Sequence, residues 1–304
     1  MNEEIAVTGA TGQIGRRIAT RLVEAGAAPR LLVRGTSRTP SLSPPALPPE
    51  IGRGSSLPGA VPVSIGTGYA DALAVRGALD GVGTLFLVSG RESADRVSEH
   101  RAVVDAAVAA GVRRIVYLSF LGAAPDCTFT FGRDHWHTEQ HIRGTGLAFT
   151  FLRDSFYASM LPALVGADGA LRGPGGDGRV SAVAPDDVAD VAAAVLRDPA
   201  DHDGQTYDVT GPAAITLQEA ADELSRRVGR PIRYQPETLE EAYASRAVYG
   251  APEFEVAGWV TSYQAIADGS LSAVSDTVSR VAGHPARSFA EYLDADPDSY
   301  SHLR

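Results

Sequence analysis

The sequence predicts an α/β protein: a mainly parallel sheet with helices on both faces, and a smaller, mostly helical C-terminal lobe. Three observations predict it. Short apolar, β-branched runs alternate with helical patterns through the first half, which is the rhythm of βαβ units. Those runs are apolar almost throughout, as strands buried on both faces are. A glycine-rich loop joins the first run to the first helical pattern.

The predicted strands are "IAVTG" (5–9), "RLLV" (30–33), "VPVSI" (61–65), "TLFLVS" (84–89), "RIVYLS" (114–119) and "AFTFLR" (148–153). In the first helix Ile14, Ile18 and Leu22 recur at i, i+4 and i+8 to face the sheet, whereas Arg16, Arg17 and Arg21 face water. Gly26 closes that helix in the left-handed conformation. Where the second helix of the repeat should be, residues 35–59 carry six prolines with much Ser and Gly. Proline lacks an amide donor, so an extended loop is expected there, either functional or disordered. After residue 155 strands thin out. Thr216 and Glu219 stand in capping-box spacing before a helix over 216–229, and helical patterns continue to "SFAEYL" (288–293). Residues 1–155 thus form a nucleotide-binding domain, and 156–304 mainly the lobe, with some segments returning to the sheet.

Composition narrows the function. The 304 residues are 44% hydrophobic and 21% charged, which suits a soluble globular protein. A net charge of -10 disfavours nucleic acid as a partner. The single cysteine, Cys127, excludes an internal disulfide framework and thiolate metal clusters. The start "MNEEIAVTGA" is acidic and lacks a signal-like n-region, and no apolar run approaches the span of about 18 residues that a membrane helix needs. A cytoplasmic protein without a membrane partner is expected.

"VTGATGQIG" places Gly9, Gly12 and Gly15 between strand and helix, with Ala10, Thr11, Gln13 and Ile14 completing the loop. Gly9 permits the tight turn, Gly12 lets backbone amides approach a pyrophosphate, and Gly15 lets helix and strand pack closely. A dinucleotide cofactor follows. NAD binders usually end the second strand in Asp or Glu, but here "LLVRGTSR" offers Arg34 and then Arg38. A guanidinium matches a ribose 2′-phosphate in charge and geometry, which favours NADP(H). The alternative is that Arg34 is a solvated strand-end residue.

"FTFGRDHWHTEQH" (129–141) gathers three histidines. His137 and His141 have the i, i+4 spacing of some zinc helices, but no Glu follows the first as in H-E-x-x-H. A helix with residues 134, 137, 138 and 141 on its wet face accounts for them, and no metal site is expected. Glu139 and Arg143 read as a helix ion pair.

With "TGATGQIG", "LLVRG", "LSFLGA", "RDHWHTEQHIRGTGLAFTFLR" and "GPGGDGRVSAVAPDDVADVAAAVL", the chain resembles the atypical short-chain dehydrogenase/reductases of the NmrA-like type over nearly its whole length. It looks most like the branch with bacterial NADPH-dependent quinone oxidoreductases and triphenylmethane reductases. The resemblance implies a doubly wound Rossmann fold and NADP(H) held by the loop at 9–15 and by Arg34. It puts the nicotinamide near Leu87, Val88, Ser89 and Ser119, with Ser119 a candidate catalytic residue. Better-known short-chain dehydrogenases use a Tyr and a Lys four residues later; here Phe131 and His135 take those places. This branch characteristically has His in the lysine's place, so the resemblance implies that His135 lies beside the nicotinamide ribose. There it either donates a proton near neutral pH or only hydrogen-bonds the ribose hydroxyls. Departures are the proline-rich loop, "IGTGYADA" with Gly66, Thr67 and Gly68 near a usual Asp, and Ser159 and Met160 where an Asn often stands.

The expected function is NADPH-dependent transfer of hydride to a quinone, carbonyl or conjugated small molecule by a monomer or homodimer. The competing readings are a redox-sensing NADP(H)-binding regulator without turnover, or a biosynthetic epimerase or cyclase on the same fold.

Overall fold

The computed structural model describes residues 4–35 and 57–304. Arg38 and nearly all of the proline-rich stretch lie outside the described residues. The first half runs β1 (Ile5–Thr8), α1 (Gln13–Glu24), β2 (Arg30–Val33), β3 (Val61–Ser64), α2 (Ala72–Ala78), β4 (Thr84–Val88), α3 (Arg96–Ala109), β5 (Arg114–Phe120), α4 (Thr130–Gly144) and β6 (Ala148–Asp154). Then come α5 (Met160–Ala163), β7 (Ala170–Gly173), β8 (Arg179–Val180), α6 (Pro185–Arg197), β9 (Gln205–Val209), β10 (Ile215–Thr216), α7 (Leu217–Val228), β11 (Arg233–Pro236), α8 (Leu239–Arg246), α9 (Glu253–Ala267) and α10 (Phe289–Ala295).

Seven strands form one parallel sheet in the order β3-β2-β1-β4-β5-β6-β9. This is a doubly wound, Rossmann-like sheet. Its strand order reverses between β1 and β4, and the crevice at their carboxyl ends is where such folds bind ligands. Each of the six strands read from the sequence is present; β9 is the segment that returns. The remaining strands pair two by two, β8 with β10 and β7 with β11.

One core layer, with Leu85, Leu87, Val103 and Tyr117, fills the space under α2, α3 and α4. The other, with Val7, Ile18, Phe86, Val188 and Val195, lies under α1 and α6. A third cluster, including Leu161, Leu171, Leu217, Tyr263 and Tyr292, is built by the C-terminal elements.

Ile14, Ile18 and Leu22 of α1 are buried as their spacing predicts, and Gly26 has φ +83°. The arginine face departs from expectation. Arg21 bonds Asp190 at 2.5 Å and Asp186 at 2.8 Å, and Arg17 lies 3.3 Å from Asp186, so this face docks on α6. Thr216 and Glu219 form the reciprocal capping box. Among the described residues no helix is long and apolar enough to cross a membrane.

Candidate functional site

The glycine loop sits at the switch point. Gly9 has φ +60°, and a Cβ there would come 3.0 Å from Cβ of Val88 at the end of β4. The Gly12 amide donates to Gly9 O at 2.9 Å, closing the turn. At Gly15 a Cβ would fall 2.4 Å from Gly9 O and 2.8 Å from Thr8 O, so only glycine lets α1 lie this close to β1. Gly12 caps α1 without a side-chain hydrogen bond, leaving the first-turn amides and the positive end of the dipole at the loop. These features fit a pyrophosphate: a tight backbone cradle, exposed at Thr11 and Gly12, with no side chain capping the helix.

Arg34 is exposed at the end of β2. Its stem passes Gly68, where a Cβ would be 3.5 Å from Arg34 Cδ. Tyr69 braces the loop from below: its Oη donates to Val88 O at 2.6 Å and lies 2.8 Å from Thr8 Oγ1. Val88 and Ser89 are half-buried at the carboxyl end of β4. Leu87 is different, because strand alternation turns its side chain into the core under α2 and α3, so a side-chain contact with a nicotinamide is excluded for it.

Helix α4 corrects two expectations. Ser119 is fully buried and its Oγ donates to Glu139 Oε1 at 2.6 Å. Glu139, also fully buried, takes both Arg153 Nε (2.8 Å) and Arg153 Nη2 (2.7 Å), with Arg143 at 3.3 Å. Ser119 is thus part of a buried ion cluster that locks α4 onto β5 and β6, not a group facing a substrate. Thr138, expected on the wet face, is buried too.

His135 is 6% exposed and both its ring nitrogens are engaged, Nε2 with Arg96 Nη2 at 3.2 Å and Nδ1 with Tyr117 Oη at 3.0 Å. Burial and then the Arg96 charge push this imidazole well below its ordinary range. It is neutral near pH 7, against the expectation of an imidazole poised to donate a proton there. Arg96, 4% exposed, also donates to Gly90 O at 3.0 Å, and Asp134 lies 3.6 Å from its Nη1. His100 Nε2 accepts from the Gly90 amide at 2.7 Å, and Nδ1 meets Thr138 Oγ1 at 2.8 Å; burial and Arg96 lower its pKa to about 3. Together they fasten the turn after β4 to α4. His137 is exposed and His141 pairs with Asp105 at 2.7 Å. Elsewhere Asp187, Asp190 and His284 converge, but Arg21 and Arg287 already neutralise the two carboxylates.

At the end of β6 the buried Asp154 carboxyl lies 2.5 Å from Tyr157 Oη. Two residues on, Ser159 Oγ accepts from Gln13 Nε2 at 3.1 Å, tying this segment to the glycine loop. Phe120, Phe129 and Phe156 form an aromatic cluster beside His135. Sequence reading passed over Arg96, His100, Asp154 and Tyr157. The one trace in the sequence is the acidic residue that ends an apolar strand in "LRDSFY", with a phenol three residues on.

The NmrA-like family model matches residues 1–268. The chain is 33% identical over 294 residues to an NAD(P)H azoreductase of Xenophilus azovorans, covering 96% of this chain and 97% of that protein. It is 35% identical over 303 residues to a (4-alkanoyl-5-oxo-2,5-dihydrofuran-3-yl)methyl phosphate reductase of Streptomyces griseus, covering 98% and 99%. Among solved structures, the NADPH-dependent quinone oxidoreductase QOR2 of Escherichia coli in complex with NADPH superposes with a TM-score of 0.80 at 30% identity, covering 96% of this chain and 99% of that one. The glycine loop at the switch point, the Rossmann-like sheet and these matches lead to one assignment: the chain belongs to the NmrA-like family.

Proposed function

We propose that this protein is an NADPH-dependent oxidoreductase that reduces a small electrophilic acceptor, a quinone, carbonyl or conjugated compound. The observation that carries this reading is the glycine cradle at the switch point with Arg34 at the end of the adjacent strand, in a chain similar along its length to reductases. The amides at the start of α1 hold the pyrophosphate, and Arg34 selects the 2′-phosphate by charge and paired donors. Val88 and Ser89, half-buried at the carboxyl end of β4, would hold the nicotinamide half. When bound, NADPH supplies the hydride; the protein contributes position, exclusion of water and protons. The C-terminal elements from residue 156 onward supply the acceptor side, and a cytoplasmic location belongs to the same proposal.

Sustained oxidation of NADPH by a panel of quinones, enones and azo dyes tests it. Tight NADPH binding without turnover of any acceptor would favour a regulator instead.

A further inference from the structure

Phe131 has no proton to give, and His135 is neutral and turned to Arg96 and Tyr117. A carbonyl acceptor gains an oxyanion as hydride arrives, so its proton must come from another element. The carboxyl end of β6 offers one. Asp154 is 3% exposed, and among the described residues no cation pairs with it. Other buried carboxylates differ: Glu139 has Arg143 and Arg153, and Asp187 has Arg287. A buried carboxyl without a counter-ion favours its neutral form.

Tyr157 is half-buried and, like Val88, packs against the core layer under α1 and α6. The segment that holds it is pinned to the glycine loop through Ser159 and Gln13. Its phenol is held on Asp154 at the carboxyl end of β6, in a segment that runs to the glycine loop. Burial first, then Asp154, hold this phenol well above the ordinary tyrosine range, so it keeps its proton; Glu92, in the turn after β4, and Arg96, at the start of α3, act on it as well.

We propose that Asp154 and Tyr157 are the proton-delivery pair of the reductase site: Tyr157 is the catalytic residue that protonates the acceptor oxygen, and Asp154 the relay behind it. This rests on the reductase reading above. In the reduction of a carbonyl, the carbon gains hydride and the C=O π pair moves to oxygen. That oxygen takes the proton of Tyr157 Oη as the Oη–H bond breaks. The Asp154 carboxyl proton moves to Oη, and water later restores it to the carboxylate. One hydride and one proton enter the product. Asp154 is suited to this because burial raises its pKa to about 8, opposed by the hydrogen bond from Tyr157 and by its own amide. A neutral carboxyl near pH 7 can donate to the phenol oxygen and free the phenol proton for the acceptor.

The test compares wild type, Tyr157→Phe and Asp154→Asn at saturating NADPH with two acceptors. An aromatic ketone takes up hydride and a proton; a cationic triarylmethyl dye becomes neutral on taking hydride alone. Tyr157→Phe should lower kcat for the ketone by about 10²–10⁴-fold and barely change it for the dye, with NADPH affinity unchanged by fluorescence titration. For wild type the ketone rate should fall as pH rises through about 8, and Asp154→Asn should be slower and lose that limb. Independently of turnover, infrared spectra should show a protonated carboxyl that titrates near the same pH and is missing in Asp154→Asn. Equal losses for both acceptors, no loss for either, or no such carboxyl band overturns the proposal. If wild type reduces neither acceptor, the reductase reading itself fails.

Discussion

Arg96 Nη2 lies 3.2 Å from His135 Nε2, and a guanidinium only donates, so the imidazole accepts there and keeps its proton on Nδ1, toward Tyr117. His100 has the same tautomer, because its Nε2 accepts from the Gly90 amide. Both rings are predicted to stay neutral well below pH 6.5, which ¹⁵N NMR of the imidazoles can read. Their folded pKa values lie below the unfolded one, so the unfolded chain binds protons that the native state refuses. Their contribution is complete above about pH 6.5 and is lost as pH falls, by up to about 1.4 kcal/mol per pH unit for each ring. A charged imidazole at His135 or His100 in the native state at pH 6 would contradict the arrangement.

Cofactor choice depends on Arg34. Arg34→Ala should weaken NADPH binding by about tenfold to a hundredfold, the equivalent of about 1.5–3 kcal/mol for a charge-assisted contact. NADH affinity should hardly move. Fluorescence titration of both proteins with both cofactors is the measurement, and equal wild-type affinities for the two would refute the role.

Gly15→Ala drives a methyl into Gly9 O and Thr8 O, which β1 holds in place. Overpacking of this kind costs about 1–3 kcal/mol, and α1 can relieve it only by moving off the loop that it starts. Lower thermal stability and loss of NADPH binding should appear together. Gly12→Ala, whose Cβ would sit 3.3 Å from Gly9 O at φ -90°, should be milder in stability.

Ser119→Ala separates structure from chemistry. The hydroxyl donates to a carboxylate with no exposed surface, so its removal should cost about 1.5–3 kcal/mol in denaturant unfolding while kcat is maintained. A large fall in kcat with unchanged stability would return Ser119 to the catalytic site.

The Asp154 carboxyl carries a stability signature of its own. Its pKa is about 8 in the folded chain and about 3.9 when unfolded, so the native state holds a proton across that window that the unfolded state has lost. Its stabilising contribution is present below about pH 4 and disappears as pH rises to about 8. Asp154→Asn does not titrate. Its stability relative to wild type should therefore climb through the window by no more than about 1.4 kcal/mol per pH unit, then level off. Thermal melts at several pH values check this, and a pH-independent difference would show the carboxyl to be ordinary.

The parts legible in the sequence were those whose cause is local. Apolar, β-branched runs marked six strands, even β3 whose residues are largely exposed, and Gly12 and Gly15 answer to backbone atoms within a few residues. Strand β9, "QTYDV", was not legible because Gln205, Thr206 and Asp208 break up its apolar run. The polar network was hidden for another reason. Arg96 and His135 are 39 residues apart and Ser119 and Glu139 are 20 apart, so nothing near either residue in the chain announces its partner. The family resemblance placed Ser119 and Leu87 near the cofactor, but the side to which a strand residue points decides what its side chain touches.

The seven-stranded sheet is closed out of sequence order, since β6 pairs with β9 in the register Thr150 to Gln205, and β7, β8 and α6 lie between. On the ribosome, the flank of β6 waits for a strand that has not yet been made. A nascent chain or proteolytic fragment ending near Asp154 would display a row of unsatisfied amides and carbonyls along an apolar strand, a template for pairing with another chain. Fragments cut at the boundary between binding domain and lobe should therefore aggregate, whereas those that keep the chain through Val209 retain their own cover for that flank.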